Sequence, residues 1–438
     1  MMQYIPNIVF LLTLAVAGFV FAKNVGKIRR NIFLGTNIDR TDKKSDRWKT
    51  MMRVAFGQSK MTVKPIAGIL HIIVYAGFLL INIEVLEIVL DGILGTHRIF
   101  EAPLGGLYRV AINFFEILAL LVLVACVVFL WRRNVQKIER FHKPEMKGWA
   151  FKDANNILFI EIALMFALLM MNAVEANFTE HEGSPFIISQ FFAPLFSGLE
   201  QANLHFLERF FWWIHILGIL AFLNYLPFSK HFHIILAFPN TWYSNLNAMG
   251  KFENMASVTA EVKLMLDPSA DPYAAPPEAD PNAAPQRFGA KDVTDLNWVN
   301  LMNAYSCTEC GRCTSECPAN ITGKKLSPRK IMMDTRDRLE EVGANIDANK
   351  GEFKEDGKHL LDDYISREEL WACTSCNACV QACPVNIDPL SIIMQMRQYL
   401  VMEESAAPQE LNAMMTNVEN NGAPWQFSQM DRANWINE

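Results

Sequence analysis

The first 240 residues carry five long apolar segments separated by shorter polar stretches, whereas the remainder of the chain is polar. A helix needs about 20 mostly apolar residues to cross the hydrocarbon core of a bilayer. The pattern therefore predicts a membrane domain with five spanning helices, at about 5–22, 65–90, 108–131, 155–175 and 208–236. Pro227 lies within the last of these segments and predicts a kink there.

The positive charges of the connections predict the orientation of these helices. The 23–64 and 132–154 connections are rich in Lys and Arg, whereas the 91–107 and 176–207 connections are poor in them. Cytoplasmic loops carry the excess of Lys and Arg in membrane proteins. The alternation predicts an N-terminus outside and a polar C-terminal half in the cytoplasm. We expect the protein in the bacterial inner membrane.

The first apolar segment has two interpretations. Ala15, Val16 and Ala17 resemble the cleavage site of a signal peptide. However, a signal peptide has its positive charges before the apolar region, and here Lys23 and Lys27 follow that region instead. The order of charges favours a retained anchor.

Histidines occur within or close to the second and fifth predicted spans. An ionisable side chain at membrane depth is costly and is a functional candidate by default. His71 lies near the cytoplasmic end of the second span; the fifth contains His215, with His231 and His233 near its cytoplasmic end. Opposite helix directions place His71 and His233 at similar depth, where facing imidazoles can bind one haem iron. Alternatively, His71 hydrogen-bonds a neighbouring helix and His233 contacts lipid headgroups.

The end of the membrane domain resembles a known family. Residues 213–234, WIHILGILAFLNYLPFSKHFHI, are similar to the last span of the nitrate reductase gamma subunits. Those proteins are five-span cytochromes b that exchange electrons with quinone. On a continuous helix, His215 and His233 would share one face about 27 Å apart, and this spacing also matches the family. The resemblance implies that His233, rather than His231, binds haem b together with His71.

The sequence departs from the family at the outer haem. A member with two haems would carry a second histidine ten residues after His71, and here that position is Ile81. We therefore expect one haem, with a second left open. His215 is then a relic, a quinone contact, or a ligand partnered by His97 or His205.

The polar half contains two blocks of the form Cys-x2-Cys-x2-Cys-x3-Cys-Pro, the ferredoxin run for two [4Fe-4S] clusters. In such proteins the fourth cysteine of each block binds the other cluster. The first cluster is therefore predicted on Cys307, Cys310, Cys313 and Cys383, and the second on Cys373, Cys376, Cys379 and Cys317. Zinc is the alternative, but one zinc site needs only four ligands and leaves the repeat unexplained. The ninth cysteine, Cys126, is predicted to be apolar filling in the third span.

Helices are predicted around and between the cysteine blocks, at about 328–342, 366–372 and 389–403. This arrangement resembles the helical two-cluster ferredoxin domains of succinate dehydrogenase, anaerobic glycerol-3-phosphate dehydrogenase and heterodisulfide reductase. The predicted fold is mainly α, a five-helix transmembrane haem b bundle followed by such a ferredoxin domain. Its parts are the membrane domain (1–240), a Pro/Ala-rich linker (241–291), the ferredoxin domain (292–403) and a tail (404–438).

The tail carries the stretch 420–428, NNGAPWQFS. It is similar to a segment that leads into cysteine-rich CCG domains in the heterodisulfide-reductase-like family. The chain stops instead, so the resemblance implies a separate CCG-domain iron–sulfur subunit that docks near the tail. A disordered tail is the alternative, although Trp425, Phe427 and Trp435 are unusual in disordered segments.

Composition narrows the function further. The net charge of −6 gives no reason to expect nucleic acid, and no catalytic triad, P-loop or dinucleotide signature is apparent, so no catalytic residue is predicted. We expect one subunit of a quinone oxidoreductase. It would pass electrons between a cytoplasmic CCG-domain or flavoprotein partner, such as an electron-transfer flavoprotein or another flavin dehydrogenase, and menaquinone or ubiquinone. The alternatives are a membrane-anchoring structural subunit and a redox sensor.

Overall fold

The computed structural model describes residues 4–179, 186–252, 254–269 and 287–437. Helices dominate these residues, and none of them forms a β-strand beyond two isolated bridges. The predicted mainly α fold is therefore confirmed. Most of the Pro-rich part of the predicted linker lies outside the described residues; just before it, Ala256–Leu266 forms a helix.

Five helices are long and apolar enough to cross a membrane, as predicted. They are Ile5–Ile32, Pro65–Leu94, Gly106–Asn134, Trp149–Glu175 and Gln201–Tyr225. Each helix packs against the next one along the chain, and the first also contacts the fifth. The five spans thus close into a ring-shaped bundle in sequence order.

The fifth span ends earlier than predicted. Its helix stops at Tyr225, and the 3-10 turns Leu226–Phe228 and Lys230–Phe232 precede a separate helix, His233–Trp242. Pro227 removes one backbone donor. The Ser229 hydroxyl donates to Asp153 of the fourth span at 2.7 Å, which fixes the break. The interruption predicted at Pro227 is therefore present, but it is a full break and not a kink, so His215 and His233 do not share a face of one helix.

The ends of the second to fourth spans that lie away from the C-terminal domain enclose a buried polar cluster around Arg98. Its guanidinium pairs with Glu175 and lies 3.5 Å from a Glu84 carboxylate oxygen. The Tyr108 hydroxyl donates to Glu87 at 2.7 Å, and all these side chains are largely buried. Buried charges need such partners, so the cluster fixes how these helix ends pack.

The C-terminal domain is built on three longer helices, Trp298–Ser306, Pro328–Ala348 and Pro389–Met402. Shorter helices connect them at Arg312–Ser315, Pro318–Ile321, Leu360–Asp363, Arg367–Trp371 and Ala378–Ala382. The helices predicted near 328–342, 366–372 and 389–403 are all present. In the tail, Gln409–Asn421 is helical, which argues against disorder in this stretch.

The C-terminal domain packs directly on one end of the membrane bundle. The backbone of Thr36, just after the first span, pairs with Leu296 at 2.8 Å and with Trp298 at 3.1 Å. The connection after the third span contributes Glu145, which forms an ion pair with Arg329 at 2.7 Å. Both connections rich in Lys and Arg therefore lie on the side of the C-terminal domain.

Candidate iron–sulfur and haem sites

The first predicted cluster site is a cavity between the two cysteine blocks. Four thiols line it, those of Cys307, Cys310, Cys313 and Cys383. The structure thus brings the last cysteine of the second block to the first three cysteines of the first block. This is the crossed grouping that the spacing predicts.

Local backbone geometry shapes this cavity. Gly311 has φ +72°, and a Cβ atom there would lie 2.5 Å from Arg329 Nη1. Glu309 also adopts a positive φ, +53°, between the first two cysteines. A glycine adopts such a conformation without steric cost, so Gly311 lets the loop turn tightly around the cavity and leaves room for Arg329.

The remaining cysteines form the second predicted group. The Cys373 thiol interacts electrostatically with Cys317 and Cys376, and the Cys379 thiol with Cys373 and Cys317. Cys376 is exposed, whereas Cys317 is buried. The second group is therefore the one that reaches the protein surface.

Burial and hydrogen bonding both suit thiolates that bind iron. Burial raises the pKa of the Cys307 thiol to about 12 and that of Cys383 to about 11, so metal binding must displace protons there. Backbone amides donate to two sulfurs, Ser375 to Cys373 at 3.4 Å and Ile387 to Cys383 at 3.2 Å. Such N–H···S bonds tune cluster potentials.

The two cysteine groups differ from a site for a single metal ion. Among the described residues, no three His, Cys, Asp or Glu side chains converge at the distance of one metal ion. In a four-iron cluster each thiolate binds a different iron atom, so the ligands do not need to converge on one point.

The structure brings His71 and His233 together at the end of the bundle near the cysteines. Their ring centroids lie 6.4 Å apart, with an interplanar angle of 42°. A bond between a metal and an imidazole nitrogen is about 2 Å long, so a separation of this size leaves room for one metal atom between the two rings. His233 Nδ1 donates to the Lys230 carbonyl at 3.0 Å, which leaves Nε2 as the free nitrogen. His71 Nδ1 is buried and has no hydrogen-bond partner among the residues that the structure describes. These two residues could hold a haem iron.

His231 has a different environment. Its ring stacks on Phe222 with centroids 5.1 Å apart, and its Nε2 lies 3.9 Å from a Glu161 carboxylate oxygen. It also lies 5.5 Å, centroid to centroid, from His233. The ring therefore flanks the His71 and His233 pair and faces an acidic partner.

His215 is buried in the bundle, away from the cysteine domain. Its Nδ1 donates to the Leu164 carbonyl at 2.9 Å, and its Nε2 is buried with no hydrogen-bond partner. His97 lies 4.0 Å from Glu175 and His205 packs on Phe178, so their recorded contacts are with residues other than His215. The role of His215 stays a prediction.

The sequence did not identify the residues that join the two sites. Lys230 forms a buried ion pair with Glu309, which lies between two cysteines of the first block. Lys60 donates to the Cys383 carbonyl at 3.1 Å, and Arg312 donates to the Lys60 carbonyl at 2.8 Å. The only sign of these contacts in the sequence is the position of the acidic Glu309 between two cysteines. That position does not indicate that Lys230 is its partner. Lys325, by contrast, is an exposed surface residue that pairs with Glu368.

Comparison with known proteins identifies the cysteine domain. Residues 306–387 match the family model for the 4Fe-4S dicluster domain. The chain therefore carries a 4Fe-4S dicluster domain after five candidate membrane helices.

Curated relatives extend over the whole chain. A "probable iron-sulfur-binding oxidoreductase FadF" of Bacillus subtilis is 29% identical over 98% of this chain and 61% of its own length. An "EtfAB:quinone oxidoreductase" of Syntrophomonas wolfei is 27% identical over 100% of this chain and 60% of its own length. A "probable membrane-anchored ferredoxin" of Chromohalobacter salexigens is 31% identical over 34% of this chain and 24% of its own. The chain thus spans about three-fifths of the first two relatives, and no solved structure matches it.

Proposed function

We propose that this protein is a membrane electron-transfer subunit that connects a cytoplasmic flavoprotein partner with the quinone pool. The eight block cysteines would hold two [4Fe-4S] clusters, and His71 and His233 would hold one haem b. The observation that carries the proposal is the 6.4 Å separation of these two imidazoles, at the bundle end that contacts the dicluster domain. Haem b supplies one-electron transfer when it is bound.

The exposure of the two cysteine groups supports an order of electron transfer. Cys376 of the second group is exposed, so this group would exchange electrons with a soluble partner. The first group lies against the membrane bundle through Lys60 and Lys230. Electrons would therefore pass between the soluble partner and the second group, between the second and the first group, and between the first group and the membrane bundle.

The membrane domain would act as a nitrate reductase gamma-like cytochrome b. The Lys230 carbonyl fixes the His233 ring in the tautomer with a free Nε2, which is the second-shell arrangement of metal-binding histidines. The buried His215 would serve as a quinone contact, because no group in the described part of the chain forms a hydrogen bond with its Nε2. The dicluster domain would lie on the cytoplasmic side of a bacterial inner membrane, with the N-terminus outside. The two connections rich in Lys and Arg lie on the same side as this domain, and such connections are cytoplasmic in membrane proteins.

The partners follow from the relatives and from the tail. One relative is named an EtfAB:quinone oxidoreductase, which supports an electron-transfer flavoprotein, or another flavin dehydrogenase, as the soluble partner. Menaquinone or ubiquinone would be the membrane partner. The tail exposes apolar side chains, Met414, Met415, Val418, Trp425 and Trp435. These side chains would dock a CCG-domain iron–sulfur subunit.

Optical and EPR redox titration of the purified protein tests the proposal. We expect a Soret band and two cluster signals, and His71→Ala or His233→Ala should abolish the Soret band while both cluster signals remain. His231→Ala is the matched control, since this ring faces Glu161 and should leave the band in place. A wild-type protein without Soret absorption that binds only zinc would exclude the proposal.

A further inference from the structure

Lys230 lies at the junction of the two predicted cofactor sites. Its ammonium group forms an ion pair with Glu309, between Cys307 and Cys310, and its backbone carbonyl accepts the hydrogen bond from His233 Nδ1. A single residue therefore contacts both the loop of the first cysteine group and the ring of a predicted haem ligand.

The ion pair is well shielded from water. The side chains of Lys230 and Glu309 are 8% and 2% exposed. Lys230 Nζ also donates to the Ala150 carbonyl at 2.6 Å and lies 4.0 Å from an Asp153 carboxylate oxygen. Arg336 supplies a second cation to Glu309 at 2.7 Å. Charges in such a site are poorly screened, so each acts strongly on neighbouring groups.

The backbone of Lys230 is held as firmly as its side chain. Its amide donates to Asp153 at 3.1 Å, and Asp153 also accepts from the Ser229 hydroxyl at 2.7 Å. This carboxylate belongs to the fourth span, so the carbonyl that orients His233 is anchored to a neighbouring helix. Lys230 therefore meets the cysteine domain through its side chain and holds His233 through its anchored backbone.

We infer that Lys230 is a positioning residue that couples the first cluster to the haem, provided that the proposed function holds. It orients His233 through its carbonyl and places its positive charge, paired with Glu309, beside the first cysteine group. The charge sets the relative electron affinity of the two centres. Because Nζ lies on the cluster side of the residue, the charge acts more on the cluster than on the haem.

Opposite charge changes on the two partners give opposite expectations. Lys230→Met removes a positive charge, so the cluster becomes harder to reduce and electrons shift towards the haem. Glu309→Gln removes a negative charge, so electrons shift towards the cluster. We expect each variant to change the equilibrium constant for electron exchange between the two centres at least threefold, in opposite directions. A purely structural role gives no reason for opposite signs.

The experiment is a combined optical and EPR redox titration of the full chain in each variant. Lys64→Met is the matched control: it also removes one positive charge at this interface, but its pair with Glu316 is long, 3.5 Å, and both side chains are about half exposed. It should change the equilibrium constant less than either test variant. Lys230→Arg retains the charge and should retain the wild-type value.

The outcomes separate the inference from the proposed function. A wild-type protein without haem absorption contradicts the proposed function itself. A wild-type protein with haem and both clusters, whose Lys230→Met and Glu309→Gln variants shift in the same direction or not at all, overturns only the role of Lys230. If Lys230→Met does not fold, Glu309→Gln and Lys230→Arg decide the question: the first must shift the equilibrium and the second must not.

Discussion

Arg98 and Glu175 form a two-point ion pair inside the membrane bundle, with Nε 3.1 Å and Nη2 2.7 Å from the two carboxylate oxygens. Arg98 stands in the connection after the second span, and Glu175 is the last residue of the fourth helix. The pair thus ties a loop to a distant helix end, and Glu84 and Tyr108 surround it.

Removal of the guanidinium should destabilise the bundle strongly. Arg98→Gln leaves buried carboxylates without their cation, and breaking a buried pair from one side costs about 3–5 kcal/mol. We expect a clear fall in the thermal unfolding midpoint of the protein in detergent. Arg109→Gln is the control, since this side chain is exposed, and it should leave the midpoint almost unchanged. Equal midpoints for the two variants would contradict the structural role of Arg98.

The crossed cysteine groups predict which cluster each variant loses. Cys317→Ser should remove the second cluster and spare the first, whereas Cys383→Ser should remove the first and spare the second, because each cysteine belongs to the other block's group. EPR of the reduced protein, with iron and acid-labile sulfide analysis, measures this. Cys126→Ala, in the third span, should retain both clusters. Loss of the second cluster in Cys383→Ser would show that the groups are not crossed.

Gly311 and Gly323 offer a matched pair of glycine substitutions. Both have positive φ, so alanine costs about 1–2 kcal/mol of backbone strain at each. A Cβ at Gly311 also meets Arg329 Nη1 at 2.5 Å, whereas nothing lies within 4 Å at Gly323. We expect Gly311→Ala to lower the occupancy of the first cluster and Gly323→Ala to retain it, as measured by iron content and EPR. An equal loss of the first cluster in both variants would show that backbone strain, and not the contact with Arg329, causes the loss.

Asp334 gives the cysteine domain a pH-dependent stability. Burial raises the pKa of this carboxyl group from 3.8 to about 7, although Lys330 lies 2.7 Å away. Between these values the folded state holds a proton that the unfolded state has released, so stability falls as the pH rises towards 7. Asp334→Asn should flatten the dependence of the unfolding midpoint on pH between 5 and 7.

The neighbouring Asp337 provides the control for this titration. It lies on the same helix but is exposed to solvent. Asp337→Asn should retain the wild-type pH dependence. The same slope between pH 5 and 7 in the wild type and in Asp334→Asn would contradict the assignment of this effect to Asp334.

The sequence predicted the elements that depend on local pattern. Long apolar segments predict spans because the length of a spanning helix is set by the bilayer, and repeated cysteine spacing predicts the crossed groups because both blocks follow one rule. The end of the fifth helix was not predictable in the same way. Proline alone allows a kink or a break, and the break here depends on Asp153 of another helix, which accepts from both Tyr225 and Ser229.

The contacts between the two domains escaped prediction for a similar reason. Lys230 and Glu309 are far apart in sequence and meet only because the cysteine domain docks on the bundle. The resemblance to cytochromes b includes the stretch that contains Lys230. It does not indicate which surface of the cysteine domain contacts Lys230. Sequence pattern thus identified the candidate ligands, whereas their connection required the tertiary structure.

The backbone pairing of Thr36 with Leu296 and Trp298 has a consequence for how the protein works. A redox domain on a long tether can swing between partners, and its speed then depends on diffusion through the solvent. Here the first span itself is fastened to the start of the dicluster domain, so under the proposed function the domain would act as a stationary relay and not as a swinging arm. If the proposed soluble partner binds, electron transfer through the domain should then be insensitive to solvent viscosity.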